Sequence, residues 1–136
     1  MCIRDRIYTR RSALQVVFNE EVEEVLADTS LPYEPNKELD GRYGKLVKVD
    51  FLVQGSRTRS AVLALSSANS STAHVQANEI FRRWYDLSIP QRTEQRVTVL
   101  DDRYDTYRED DLSRIKDRSD LIALSDRQTF CDLLAA

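Results

Sequence analysis

The chain has 136 residues, enough for one domain with a real core. A hydrophobic share of 41% and a charged share of 32% exclude a disordered chain. A net charge of −3 gives no global attraction to nucleic acid, so any such binding needs a local basic patch. No apolar run approaches the roughly 20 residues that cross a bilayer. Cys2 and Cys131 lie at opposite ends without metal-ligand spacing, the usage of reduced thiols in a cytoplasmic protein.

Met1 to Arg6 has the look of the adaptor-derived peptide left at the start of translated sequencing reads, and it is set aside. Residues 7–136 are taken as one domain, expected to be the C-terminal part of a longer protein. Ser12 is the expected N-cap of a helix reaching about Asp28. Leu14, Val17, Phe18, Val22, Val25 and Leu26 form its apolar stripe, with Glu21 placed inside that stripe between Val17 and Val25. Thr29 to Gly44, with Pro32, Pro35, Asn36, Asp40 and Gly41, reads as a loop with room for one further strand.

Leu46 to Ser67 organises the rest. Its first arm alternates, with Val47, Val49, Phe51 and Val53 on one face and Leu46, Lys48, Asp50 and Leu52 on the other. Its second arm, Ser60 to Leu65, is nearly all apolar, the pattern of a strand covered on both faces. Gln54-Gly55-Ser56 makes the tip, with Arg57 and Arg59 beside it. Asp50 is the one acid inside this hairpin, where an unpaired carboxylate would be costly.

A second helix is expected over Thr72 to Leu87, with Ala73, Ala77, Ile80, Phe81, Trp84 and Leu87 as its core stripe, Glu79 and Arg83 as an i,i+4 pair, and Pro90 closing the element. A strand over Arg96–Leu100, a helix over Glu109–Asp117, a strand over Leu121–Leu124 and a last helix behind a Ser125/Gln128 capping box complete the chain. The fold class is an α/β sandwich around a small mixed sheet, in the order α-β-β-α-β-α-β-α.

That order, with an inward Glu on the first helix and an Asp on the first strand, resembles the PD-(D/E)XK nuclease core, a restriction-endonuclease-like fold. The resemblance implies Mg²⁺ or Mn²⁺ held by acids, with a lysine beside the attacking water. Asp50 matches the first acid and Glu21 the auxiliary one, but Ala64-Leu65-Ser66 stands where the acid-x-lysine triplet belongs. The stretches LDGRYGKLVKVDFLV, AVLALSS and DLIALSDRQTFCDLLAA are similar to the domain-of-unknown-function family numbered 1829. Gly44, Asp50, Phe51, Ala64, Leu65 and Ser66 carry that similarity, Ser66 standing where an Asn is expected. The family resemblance implies a bacterial or prophage protein, of mobile-element context, whose domain follows a second domain; it implies no reaction.

Two functions follow. The first is a non-catalytic interaction or regulatory module on a degenerate nuclease-like scaffold, without a cofactor, whose partner is a protein or a missing N-terminal domain rather than nucleic acid. The second is a metal-dependent nucleic-acid hydrolase using Glu21 and Asp50, completed by Glu34, Glu38 or Asp40. Ser66, Arg57 and Arg59 are candidate ligand contacts in either case. Against these stand plainer readings: Asp50 bonding backbone amides, Lys45, Lys48 or an arginine; Glu21 paired with an arginine; His74 a surface residue; Arg57, Arg59, Arg82 and Arg83 solvent charge; Phe81, Trp84 and Tyr85 core or semi-core.

Overall fold

The computed structural model describes residues 13–41, 44, 46–87 and 94–135. The Ser12 cap, Lys45, Pro90 and Cys2 lie outside them. The elements are α1 (Ala13–Thr29), β1 (Tyr33–Asp40), β2 (Leu46–Gln54), β3 (Arg59–Leu65), α2 (Ser70–Asp86), β4 (Glu94–Leu100), α3 (Glu109–Arg118), β5 (Asp120–Ala123) and α4 (Arg127–Ala135). The five strands form one mixed sheet in chain order, antiparallel from β1 to β3 and parallel from β3 to β5. No described helix is long and apolar enough to cross a membrane.

Helices cover both faces of the sheet, as the continuous apolar run of β3 requires. On one face Phe18, Val22, Val25 and Leu26 of α1 and Phe130 and Leu134 of α4 pack on Val62, Ala64, Val97 and Val99. On the other, Ala77, Ile80 and Trp84 of α2 and Ile115 of α3 pack on Ala61, Leu63 and Leu65. The α2 stripe is as expected except that Phe81 is only half-buried. The helix starts two residues early because Asn69 caps it, its side chain accepting from the amides of Ser71 and Thr72. Trp84 is fully buried, and its indole N–H donates to Thr98 Oγ1 at 2.8 Å, satisfying the one polar atom such a residue brings into a core.

Three expectations need sharpening or correction. The segment read as a loop with room for one further strand holds that strand, β1, at the sheet edge. Its Pro35, Lys37 and mixed charges hide a strand pattern and also guard an open sheet edge against further pairing. Ser125 and Gln128 do not form a capping box: the Ser125 hydroxyl donates to Asp102, and the Gln128 carboxamide donates to Asp132.

The third correction concerns the alternation of β2. Val47 and Val49 pack on the α2/α3 side, but Phe51 and Val53 pack on the α1/α4 side. Strand β1 does the same, Tyr33 joining the first core and Leu39 the second. The two strands roll over together at Asn36 and Asp50. Pairing is continuous on either side of that point, from Tyr33–Val53 to Pro35–Phe51 and from Lys37–Val49 to Asp40–Leu46. Asn36 takes the left-handed conformation there, φ 53°, which an asparagine tolerates better than most residues. Pro35, Asn36, Asp50 and Phe51 therefore line one shallow groove beneath α1.

Candidate functional site

Strands β2 and β3 pair from Gln54–Arg59 to Phe51–Val62 and then part, while β3 stays paired with β4 through Leu65. In β3 every second peptide turns its N–H and C=O toward the resulting gap, and those groups need partners inside the protein. Asp50 Oδ2 accepts from the Ala64 amide at 2.9 Å. The Gln15 carboxamide donates to the Ala64 carbonyl at 3.1 Å and accepts from the Ser66 amide at 3.1 Å. Gln15 thus takes the place of a peptide unit of the missing strand, and also donates to Asn19 Oδ1 at 2.8 Å. Asp50 and Gln15 are 5% and 6% exposed, so these bonds are shielded from water. The split between the strands is closed by protein groups.

A second set of groups begins at the same triplet and runs outward. The buried Ser66 hydroxyl donates to Asp101 Oδ2 at 2.7 Å. Arg103 Nε donates to Asp101 Oδ1 at 2.8 Å and its Nη2 to Asp101 Oδ2 at 2.9 Å. The far side of the same guanidinium grips both Glu21 oxygens, at 2.7 and 3.2 Å. Burial acts most strongly on the Asp101 carboxyl and pushes it up, but the hydrogen bonds from Arg103 and Ser66 together outweigh it and hold the group below its ordinary 3.8. Bonds to Asp101 first, and to Glu21 second, hold Arg103 protonated. Tyr107 donates to the Asp101 carbonyl at 2.9 Å and accepts from the Ser67 amide at 3.2 Å; burial raises its phenol to about 12.

This chain of groups ends in an open cleft of about 360 Å³ at the carboxyl ends of β4 and β5, the end of parallel strands where ligands commonly bind. Glu21, Glu24, Asp28, Asp101 and Asp102 face Arg103 and Arg127 across it, over an apolar floor of Val25 and Leu124. Arg127 is engaged with Asp28 at 2.7 Å.

The structure separates the residues singled out from sequence. Glu21 is not in the apolar stripe: with Val17 48% exposed and Gln15 buried, the stripe centres near Val22, and Glu21 lies about 90° from it. Its carboxylate meets Arg103 in the acidic cleft, whereas Asp50 lines the groove under α1. Glu34, Glu38 and Asp40 are exposed along β1, and Glu34 pairs with Lys37 at 3.2 Å. Among the described residues no three acids, histidines or cysteines stand close enough to hold a metal ion. Arg57 and Arg59 are exposed at the opposite end of β3 from Ser66, roughly 23 Å away at strand rise. Arg83 is held by Glu79 at 3.6 Å.

Gln15, Asp101 and Arg103 escaped the reading of the sequence. Gln15 sits one turn before Phe18 on the buried face, where a polar residue is a signal in itself. Asp101 directly follows the β-branched run of β4, the position from which an acid meets the ends of neighbouring strands.

No family model matches the chain, and no curated protein matches it. Among solved structures it is similar to the crystal structure of a protein of unknown function, AF1548, with a TM-score of 0.54 and 12% identity over 79% of this chain. The chain spans 57% of that protein's length. At this identity the likeness supports the α/β architecture alone.

Proposed function

We propose that this chain is a non-catalytic interaction module built on a nuclease-like α/β scaffold whose metal site has been replaced by structural hydrogen bonds. One observation carries the reading: Asp50, the acid that a PD-(D/E)XK site would turn toward a metal, is bonded to the Ala64 amide beside a Gln15 carboxamide that completes the same strand edge. The triplet Ala64-Leu65-Ser66 brings neither an acid nor a lysine, and Ser66 is engaged with Asp101. Glu21, the other acid such a site would use, neutralises Arg103 instead.

The partner in this reading is a protein surface carrying lysines or arginines. Five carboxylates against two arginines give the cleft a negative potential that repels phosphates and attracts such groups. The resemblance to the family numbered 1829, with its bacterial or prophage setting and cytoplasmic location, belongs to the same proposal.

The test is direct. With Mg²⁺ or Mn²⁺ present, the chain should leave single- and double-stranded DNA and RNA uncut. Fluorescence anisotropy should detect no duplex binding at physiological salt, and should detect a lysine-rich peptide whose affinity falls with salt and in Asp102→Asn. Metal-dependent cleavage that disappears in Asp50→Asn would overturn the proposal.

A further inference from the structure

Helices α2 and α3 lie together on the face of the sheet opposite α1 and α4. Phe81 and Tyr85, one turn apart on α2, meet Arg114 and Arg118, one turn apart on α3. Arg114 lies over the Phe81 ring, 5.2 Å from its centroid. Arg118 lies over both rings, at 5.7 Å from the Phe81 centroid and 5.2 Å from that of Tyr85. Phe81 and Arg118 are half-buried, and Tyr85 is 46% exposed. Arg82, beside Phe81 in the chain, is exposed.

The two α3 arginines are used differently. Arg114 is engaged within the fold, its Nη2 donating to the buried Asp111 carboxylate at 3.3 Å and to Asn78 Oδ1. Arg118 contacts two ring faces, and among the described residues no side chain or carbonyl accepts from it. Stacking engages the flat of a guanidinium and leaves the N–H donors of its edge to water, in the fork that matches a carboxylate. The dipole at the end of α3 favours a cation in the last turn, which Lys116 also supplies. It does not call for a guanidinium laid on two rings.

We propose that this face is a second docking surface, for a protein segment that brings an aspartate or glutamate to the Arg118 fork and an apolar side chain to Tyr85. Arginine and tyrosine are enriched among the residues that hold protein interfaces together. Here the rings already position the guanidinium, so little side-chain freedom is lost on binding. The charge pattern selects a short acidic group over a polyanion. Asp86 lies one turn from Arg82 on α2, and Asp110 and Asp117 lie one turn to either side of Arg114 on α3. A phosphate backbone crossing the arginines would run onto these acids, whereas a single carboxylate meets Arg118 alone. The surface is separate from the acidic cleft and selects the opposite charge, so one small domain offers two docking sites of opposite sign.

Arginine Nε–H signals in ¹⁵N NMR of the intact chain read this face, with a short peptide of alternating glutamate and leucine as the probe. The Arg118 signal should shift saturably as the peptide is added, and the affinity should fall with salt. Arg118→Gln should weaken binding about tenfold or more, while Asp102→Asn, in the separate cleft, should not weaken it. Arg118→Lys, which keeps the charge but not the fork, should also bind less tightly than the parent. An Arg118 signal indifferent to the peptide, undiminished binding in Arg118→Gln, equal binding of the same peptide with glutamine for glutamate, or tighter binding of an oligothymidylate would each overturn the proposal.

Discussion

Asp50 and Asp101 are both almost fully buried acids, 5% and 1% exposed, at places where strands end or part. They are used in opposite ways. Asp50 accepts a backbone amide inside the gap between β2 and β3, where the ladder has stopped. Asp101 accepts side chains, Ser66 from within and Arg103 from the rim of a cleft. A buried carboxylate alone therefore does not mark a reactive site; its partners decide what it does. The Asp50 groups complete the fold, and those at Asp101 lead from the fold to a surface.

The largest effect that separates the two regions should come from Asp50→Ala. It strands the Ala64 amide in the core and should cost about 2–3 kcal/mol in chemical denaturation. A loss near zero would mean that β2 and β3 are held together by packing alone. Asp101→Asn keeps an oxygen for one donor but loses the charge that Arg103 meets, and should cost about 1–2 kcal/mol. It should also change the acid limb of stability. Because the folded carboxyl titrates below its ordinary 3.8, its contribution is complete above that value and is lost as pH falls through the folded value. The variant should lack that part of the acid loss.

Tyr107→Phe removes two bonds at the same place and should cost about 1 kcal/mol at neutral pH. Its pH signature is on the other side. A phenol raised from 10.0 to about 12 stabilises the fold fully below 10 and progressively less up to 12, so the variant's alkaline limb should be flatter. Glu21→Gln should be the mildest change, within about 0.5 kcal/mol, since Glu21 and Arg103 are 36% and 56% exposed and water screens the pair. A loss as large as that of Asp50→Ala would erase the distinction between the two regions.

Much of the fold was legible in the sequence, because periodicity reports burial. The β2–β3 hairpin, the apolar β3 and the α2 stripe follow from it, and so does Asp50 as a carboxylate in need of a partner. One of the plainer readings, Asp50 bonding a backbone amide, matches the observed Ala64 contact. β1 was obscured by an edge strand's need for charge and proline. The rollover at Asn36 and Asp50 was not legible because it depends on two strands twisting together, which no single alternating pattern encodes. Gln15 was passed over for a more fundamental reason: its partners, Ala64 and Ser66, are about fifty residues away and are backbone groups, which leave no trace in residue types.

The most direct test of the central claim, that Asp50 is a structural acid in a closed seam, is thermal unfolding of the intact chain titrated with Mn²⁺, with Asp50→Asn alongside. A metal bound at about 100 times its dissociation constant adds roughly 2.7 kcal/mol, a rise of several degrees at this size. With Asp50 committed to the Ala64 amide, the parent should show no rise and Asp50→Asn a lower starting Tm. A rise in the parent that vanishes in Asp50→Asn would contradict it and return Asp50 to the metal.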